Sequence, residues 1–155
     1  MNKTSGARSK VVVLAMLALL IASFMLLAGC GESNTPAGAL DKYLSAWKDS
    51  NWAAFKQSVA PVKRNLNKVQ DELAKQKFEQ VKVGLDGIST ETEYDKQDKN
   101  KAVVTLTGGK ITYTAEILGK KKTETQDIGK MPKDKRPFFD AVKVNGVWYV
   151  NMDLG

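Results

Sequence analysis

The sequence predicts an α+β domain, with helices in its N-terminal part and a meander of antiparallel strands behind them. Three observations carry this. Leu40, Tyr43, Leu44 and Trp47 fall at i, i+3, i+4 and i+7, the apolar stripe of an amphipathic helix. Ile111, Tyr113, Ala115 and Ile117 alternate with Thr112, Thr114 and Glu116, the period of a half-buried strand. Two apolar runs, residues 141–144 and 147–152, flank Asn145-Gly146, a pair that tolerates the positive φ angles of a tight hairpin.

The chain opens with an export signal rather than with this domain. Residues 1–10 carry Lys3, Arg8 and Lys10 and no acid, and residues 11–27 are apolar except for Ser23. A basic end joined to an apolar core is retained on the cytoplasmic side and delivers the downstream chain outward. The run closes on Leu27-Ala28-Gly29-Cys30, which resembles the lipobox of bacterial lipoproteins. Cys30 supplies the chain's only thiol, the nucleophile that takes up a diacylglyceryl group. The small Ala28 and Gly29 behind Leu27 open the bond before it to a signal peptidase. Residues 1–29 are therefore read as a cleaved leader, and the mature protein as beginning at lipidated Cys30. Two acyl chains give stable anchoring where one does not. The alternative is an uncleaved anchor, because residues 11–29 are just long enough to span a bilayer. Either way the remainder is expected at the extracytoplasmic face of a membrane. Gly31 and Glu32 do not match the simple aspartate retention signal, so a Gram-positive cell membrane and an outer membrane both stay open.

Residues 30–38 are small and polar and read as a flexible tether, with the domain occupying 39–155. Thr35 and Pro36 supply a cap and a first position for the opening helix. After Ser50-Asn51, Trp52, Phe55 and Val59 form a second short apolar face that Pro61 closes. Leu66, Val69 and Leu73 then repeat at helical spacing within residues 62–80. Beyond Val81 the period shortens. Residues 91–96 read as a strand that turns through Asp98-Lys99-Asn100, and Val104 and Leu106 continue the alternation. Gly108-Gly109 fits either a separate turn or a bend within one long strand.

These features resemble the nuclear transport factor 2-like (cystatin-like, cone-shaped) superfamily. The resemblance rests on Ala39-Leu40 through Ala46-Trp47-Lys48 and Asn51-Trp52, then Lys101-Ala102-Val103-Val104-Thr105-Leu106, then Val144-Asn145-Gly146-Val147-Trp148-Tyr149-Val150. It implies a curved antiparallel sheet wrapped around the N-terminal helices, with a pocket at the open end of the cone. The superfamily holds isomerases and dehydratases beside non-catalytic binding and assembly modules, so fold alone does not select a function.

Composition narrows the chemistry. The chain has no histidine, which removes the side chain most used for general acid and base work near neutral pH. Without histidine or a second cysteine there is no ordinary activating base for a serine and no soft ligand set for a transition metal. No catalytic residue, metal site or cofactor is assigned. Asp86, Glu116 and Asp140, each beside apolar residues, are the candidate carboxylates, although Glu116 points opposite to Tyr113; an isomerase- or dehydratase-like alternative would bury Asp86 or Asp140 with Tyr113 as partner. Residues 95–100 offer oxygens at loop spacing, but Lys96 and Lys99 intrude and no acid closes a calcium loop, so a solvated hairpin is the simpler reading.

Net charge is +7, of which the leader supplies three, leaving +4 on the mature chain. Aromatics do not interleave with arginine as single-strand binders need, so nucleic acid is not an expected partner. Lys120-Lys121-Lys122, and Lys130 with Lys133, Lys135 and Arg136, could meet anionic lipid or wall polymer, or serve solubility alone. Trp47, Trp52, Phe55 and Trp148 sit at core-facing positions, whereas Tyr113, Phe138, Phe139 and Tyr149 are the expected lining of a pocket. The expected function is a non-catalytic, membrane-tethered domain that binds a protein partner or a small apolar ligand. An envelope or secretion assembly subunit is a further alternative, and it should leave an apolar sheet face exposed.

Overall fold

The computed structural model describes residues 34–154 apart from residue 118 and the side chain of residue 117. Leu27, Ala28, Gly29 and Cys30 lie outside the described residues. Among the described residues no helix is long and apolar enough to cross a membrane.

Helix α1 spans Pro36–Lys48. Thr35 Oγ1 accepts the Gly38 amide at 3.0 Å, and Pro36 occupies the first turn, where its missing N–H costs nothing. Pro36 is buried. The first turn of the helix thus takes in Pro36, Ala37 and Gly38, which small-residue composition assigns to the tether; the capping geometry at Thr35 outweighs the glycine's weak helix propensity. Leu40, Tyr43 and Leu44 face the core as their spacing predicts. Ser50, at φ 53°, breaks the chain's direction, and Asn51 caps α2, Trp52–Ser58. Val59 does not extend the α2 face. It turns extended and bridges Val150 in parallel, with the Ala60 amide donating to the Val150 carbonyl at 2.9 Å.

Helix α3 is Lys68–Gln80, opened by a capping box in which Asn67 and Gln70 satisfy each other's amides at 3.0 and 3.1 Å. Here the apolar stripe read from the sequence is the wrong face. Val69 and Leu73 are 69% and 53% exposed, and Leu66 precedes the helix. The docked face holds Asp71, Ala74 and Phe78 at i, i+3 and i+7. Phe78 packs on Phe55 and Trp52 at ring distances of 4.6 and 5.5 Å, and Asp71 pairs with Lys56 at 2.7 Å. One large aromatic and one ion pair orient this helix against two smaller aliphatics.

Strand β1, Val81–Tyr94, follows α3 directly, so it begins ten residues before the strand that the 91–96 pattern marks. Strand β2, Lys101–Ile117, runs through Gly108-Gly109 without a turn. The glycines make a bend within one long strand, where its register with β1 shifts between Asp86 and Thr90. Inward residues switch parity there, from Ala102, Val104 and Leu106 to Ile111 and Tyr113. Gly109 has φ 91°, and a Cβ on it would stand 2.5 Å from the Gly87 carbonyl oxygen. Only glycine fits that approach.

Lys120–Asp127 forms strand β3, which the lysine run concealed. Eight residues pair with the C-terminal half of β2, and Thr112–Thr125 and Thr114–Thr123 hydroxyls meet at 3.0 and 3.1 Å. Strands β4, Phe138–Val144, and β5, Val147–Val150, form the predicted hairpin, with Asn145 at φ 51° and Gly146 at φ 83°. The result is a curled five-stranded antiparallel sheet in the order β1-β2-β4-β5, with β3 sharing the β4 side of β2. The helices pack on its inner face, as an α+β fold requires.

Candidate binding surface

Strand alternation divides the four aromatics expected to line a pocket. Val104 and Ala102 face inward, so their β4 partners Phe139 and Ala141 do as well. The Phe139 ring lies 6.0 Å from that of Tyr43, and Tyr113 lies 6.4 Å from Trp47. Both are built into an aromatic cluster that continues through Phe55, whose ring is tilted against that of Tyr43 at 4.5 Å. Burial pushes the Tyr43 hydroxyl far above the usual tyrosine range, and that hydroxyl donates to Met152 Sδ at 3.1 Å. Tyr113 is raised by burial and then by the nearby Glu124 carboxylate. Phe138 and Tyr149 point to the opposite face, where Phe138 is 65% exposed and Tyr149 carries the Arg64 guanidinium 5.7 Å above its ring. The four therefore share no cavity. Trp47, Trp52, Phe55 and Trp148 take the core-side positions expected of them.

The carboxylates scatter as well. Asp86 sits opposite Lys110 at the β1 bulge, Glu116 lies in a groove with Lys82 and Lys121, and Asp140 lies on the outer sheet face; all three are exposed. In the 95–100 turn, Asp95 Oδ1 accepts the amides of Gln97 and Asp98 at 2.7 and 2.8 Å, and Asp98 accepts that of Asn100 at 3.0 Å. These amides hold both carboxyls below the usual aspartate range. Among the described residues no three acids, cysteines or histidines converge as a metal set.

Of the two basic clusters, Lys120-Lys121-Lys122 is exposed along edge strand β3, where lysines discourage pairing with another sheet. The second is partly engaged in local contacts. Lys130 pairs with Asp127 at 3.3 Å, and Arg136 Nε donates to the Met131 carbonyl at 3.3 Å.

Among the described residues no helix covers the outer face of the sheet, which differs between its two halves. Around the C-terminal part of β2 it presents Lys82, Gly84, Thr112, Thr114, Thr123 and Thr125, a polar surface ordinary for a sheet with one wet side. Around β4 and β5 it presents Val103, Phe138, Val142, Val144, Val147 and Tyr149, interrupted by Lys101, Thr105 and Asp140. Val103, Phe138 and Val147 are 37%, 65% and 42% exposed. A groove of about 770 Å³ runs beside them, lined by Glu93, Lys101, Val103, Asp140 and Val142 among others. No family model matches this sequence, and no curated protein does.

A signal for this face was present in the sequence. Phe138-Phe139, Ala141-Val142 and Val147-Trp148-Tyr149-Val150 are apolar at both parities, separated by Asp140, Lys143 and the Asn145-Gly146 turn. Apolar runs without alternation belong to strands covered on both faces. In the 111–117 segment, by contrast, alternation is strict and the outward residues are threonines.

Proposed function

We propose that this chain is a membrane-anchored extracytoplasmic lipoprotein, with a nuclear transport factor 2-like domain that works as a non-catalytic module binding a protein partner. The single observation that carries partner binding is the apolar outward face of β4 and β5, in strands whose residues suit burial on both sides. The leader and the lipobox at Cys30 support the anchor. A small apolar ligand finds less support, because Tyr113 and Phe139 are engaged in packing among the helices. The partner reading also fits a subunit of an envelope assembly, which would cover the same face.

In-cell cross-linking followed by pull-down tests this. The wild-type chain should capture a partner that Phe138→Ser loses, while Phe138→Ser stays folded and membrane-bound. Cys30→Ala should lose the membrane and, with it, most of the captured partner. Equal capture by wild type and Phe138→Ser would contradict the proposed face.

A further inference from the structure

Strands β1, β3 and β5 each pair with a single neighbouring strand, and two of the three open sides are protected. Val59 bridges Val150 on the free side of β5. The side of β3 carries Lys120-Lys121-Lys122, a charge run that deters an added strand. Strand β1 has neither device. It is 14 residues long, Lys82 is its only cation, and no proline interrupts it. Among the described residues, 82–94 make no backbone hydrogen bond outside the ladder with β2. Such an edge is a template for another strand. Its bulge restricts which strand fits. Val83 and Leu85 face inward before the bulge and Ile88, Thr90, Thr92 and Tyr94 after it, so the inward residues change parity within β1. Opposed residues of an antiparallel pair share a face, so a strand that covers all of β1 needs the same change at the same place. The reverse of β1 itself has it.

We propose that the open edge of β1 pairs with the same edge of a second copy of this chain, antiparallel about a two-fold axis at Gly87-Ile88. Residues 81–86 of each copy then lie opposite residues 94–89 of the other, as a self-complementary two-fold contact requires. On the inner face Val81 meets the partner's Tyr94, Val83 the partner's Thr92 and Leu85 the partner's Thr90. On the outer face Lys82 meets the partner's Glu93, and Gly84 the partner's Glu91, so each lysine stands beside two acids. Other registers fit less well. A shift by one residue sets inward positions against outward ones. A shift by two sets Asp86 against the partner's Glu91, or, in the other direction, leaves Glu93 and Tyr94 of each copy without a strand partner. Lys82 Nζ donates to the neutral Ser50 Oγ at 2.9 Å, and an ammonium has further protons to donate. Among the described residues no ion pair within the chain takes up Lys82, Glu91 or Glu93. Asp86 stands opposite Lys110, and Glu91 and Glu93 share a groove with Lys133 and Arg136, which offset the acids that Lys82 does not meet. This contact is separate from the β4–β5 face and does not depend on the anchor.

The full-length chain, purified in detergent, tests the register by cross-linking. Gly84→Cys together with Glu91→Cys places two thiols opposite each other only between copies, because along one strand they stand about 23 Å apart. Mild oxidation should join position 84 of one chain to position 91 of another, located by peptide mass, and neither single change should give that bond. A bond through Cys30 is recognised by its own peptide. Sedimentation reads the association itself. Lys82→Glu or Glu93→Lys alone should weaken it about tenfold, since each sets like charges opposite one another at two places, and both changes in one chain should restore it. All these positions are exposed, so every variant should keep the wild-type circular dichroism spectrum. A chain that stays monomeric, a disulfide map that fits another register, or charge variants that all associate alike would overturn the pairing.

Discussion

Leu40 is fully buried at the centre of the inner face, so its role is packing alone. Leu40→Ala should cost about 2–5 kcal/mol, the range for emptying such a site, read from denaturant unfolding. Asp95 and Asp98 act differently, because their worth depends on charge. The amides of Asp98 and Gln97 hold the Asp95 carboxyl below its ordinary range, and the Asn100 amide does so for Asp98. A carboxylate depressed in the folded state contributes its full stabilisation above its unfolded value, near pH ~3.9, and loses it as pH falls through the lower folded value. Acidification below about pH 4 should therefore reduce the hydrogen-exchange protection of the Gln97, Asp98 and Asn100 amides. Asp95→Ala should remove this acid dependence at Gln97 and Asp98. Unchanged protection through the acid range would contradict the account of the turn.

At the scale of elements, two contrasts separate what periodicity reveals from what it hides. Phe78→Ala should destabilise by about 3 kcal/mol, whereas Val69→Ser and Leu73→Ser should each stay within about 0.5 kcal/mol, as surface changes do. Thermal unfolding of the three variants checks this, and a large loss at Val69 or Leu73 would restore the stripe that spacing alone selects. Gly109→Ala should cost more than about 1 kcal/mol, because it adds both a positive-φ penalty and a clash with the Gly87 carbonyl. Helix α1 and the β4–β5 hairpin were legible because their signals are local, a Thr-Pro cap and an Asn-Gly turn. Strand β3 was not, since Lys-Lys-Lys-Thr-Glu-Thr-Gln-Asp offers no apolar alternation. It is a strand because β2 provides a backbone ladder along its whole length. The α3 docking face was hidden for a related reason: its orientation depends on Phe55, Trp52 and Lys56, which belong to another helix.

At the scale of the molecule, one sheet carries three environments: a packed inner face, a polar outer half and an apolar outer half. The Phe138 to Val150 run held the outer patch in plain view, but choosing which of its aromatics point inward needs the register with β2, and that is a long-range pairing. Phe138→Ser should leave the unfolding midpoint nearly unchanged, within about 0.5 kcal/mol, since its ring is 65% exposed, and should act on partner capture instead. The proposed partner would meet this face outside the cell only if the chain is exported and anchored as proposed, so the functional proposal returns to Cys30. The most direct test is the mass of the N-terminal peptide of the protein isolated from membranes. The account predicts a mature chain that begins at Cys30 and carries at least two acyl chains; a chain that retains residues 1–29, or that begins at an unmodified Cys30, would contradict it.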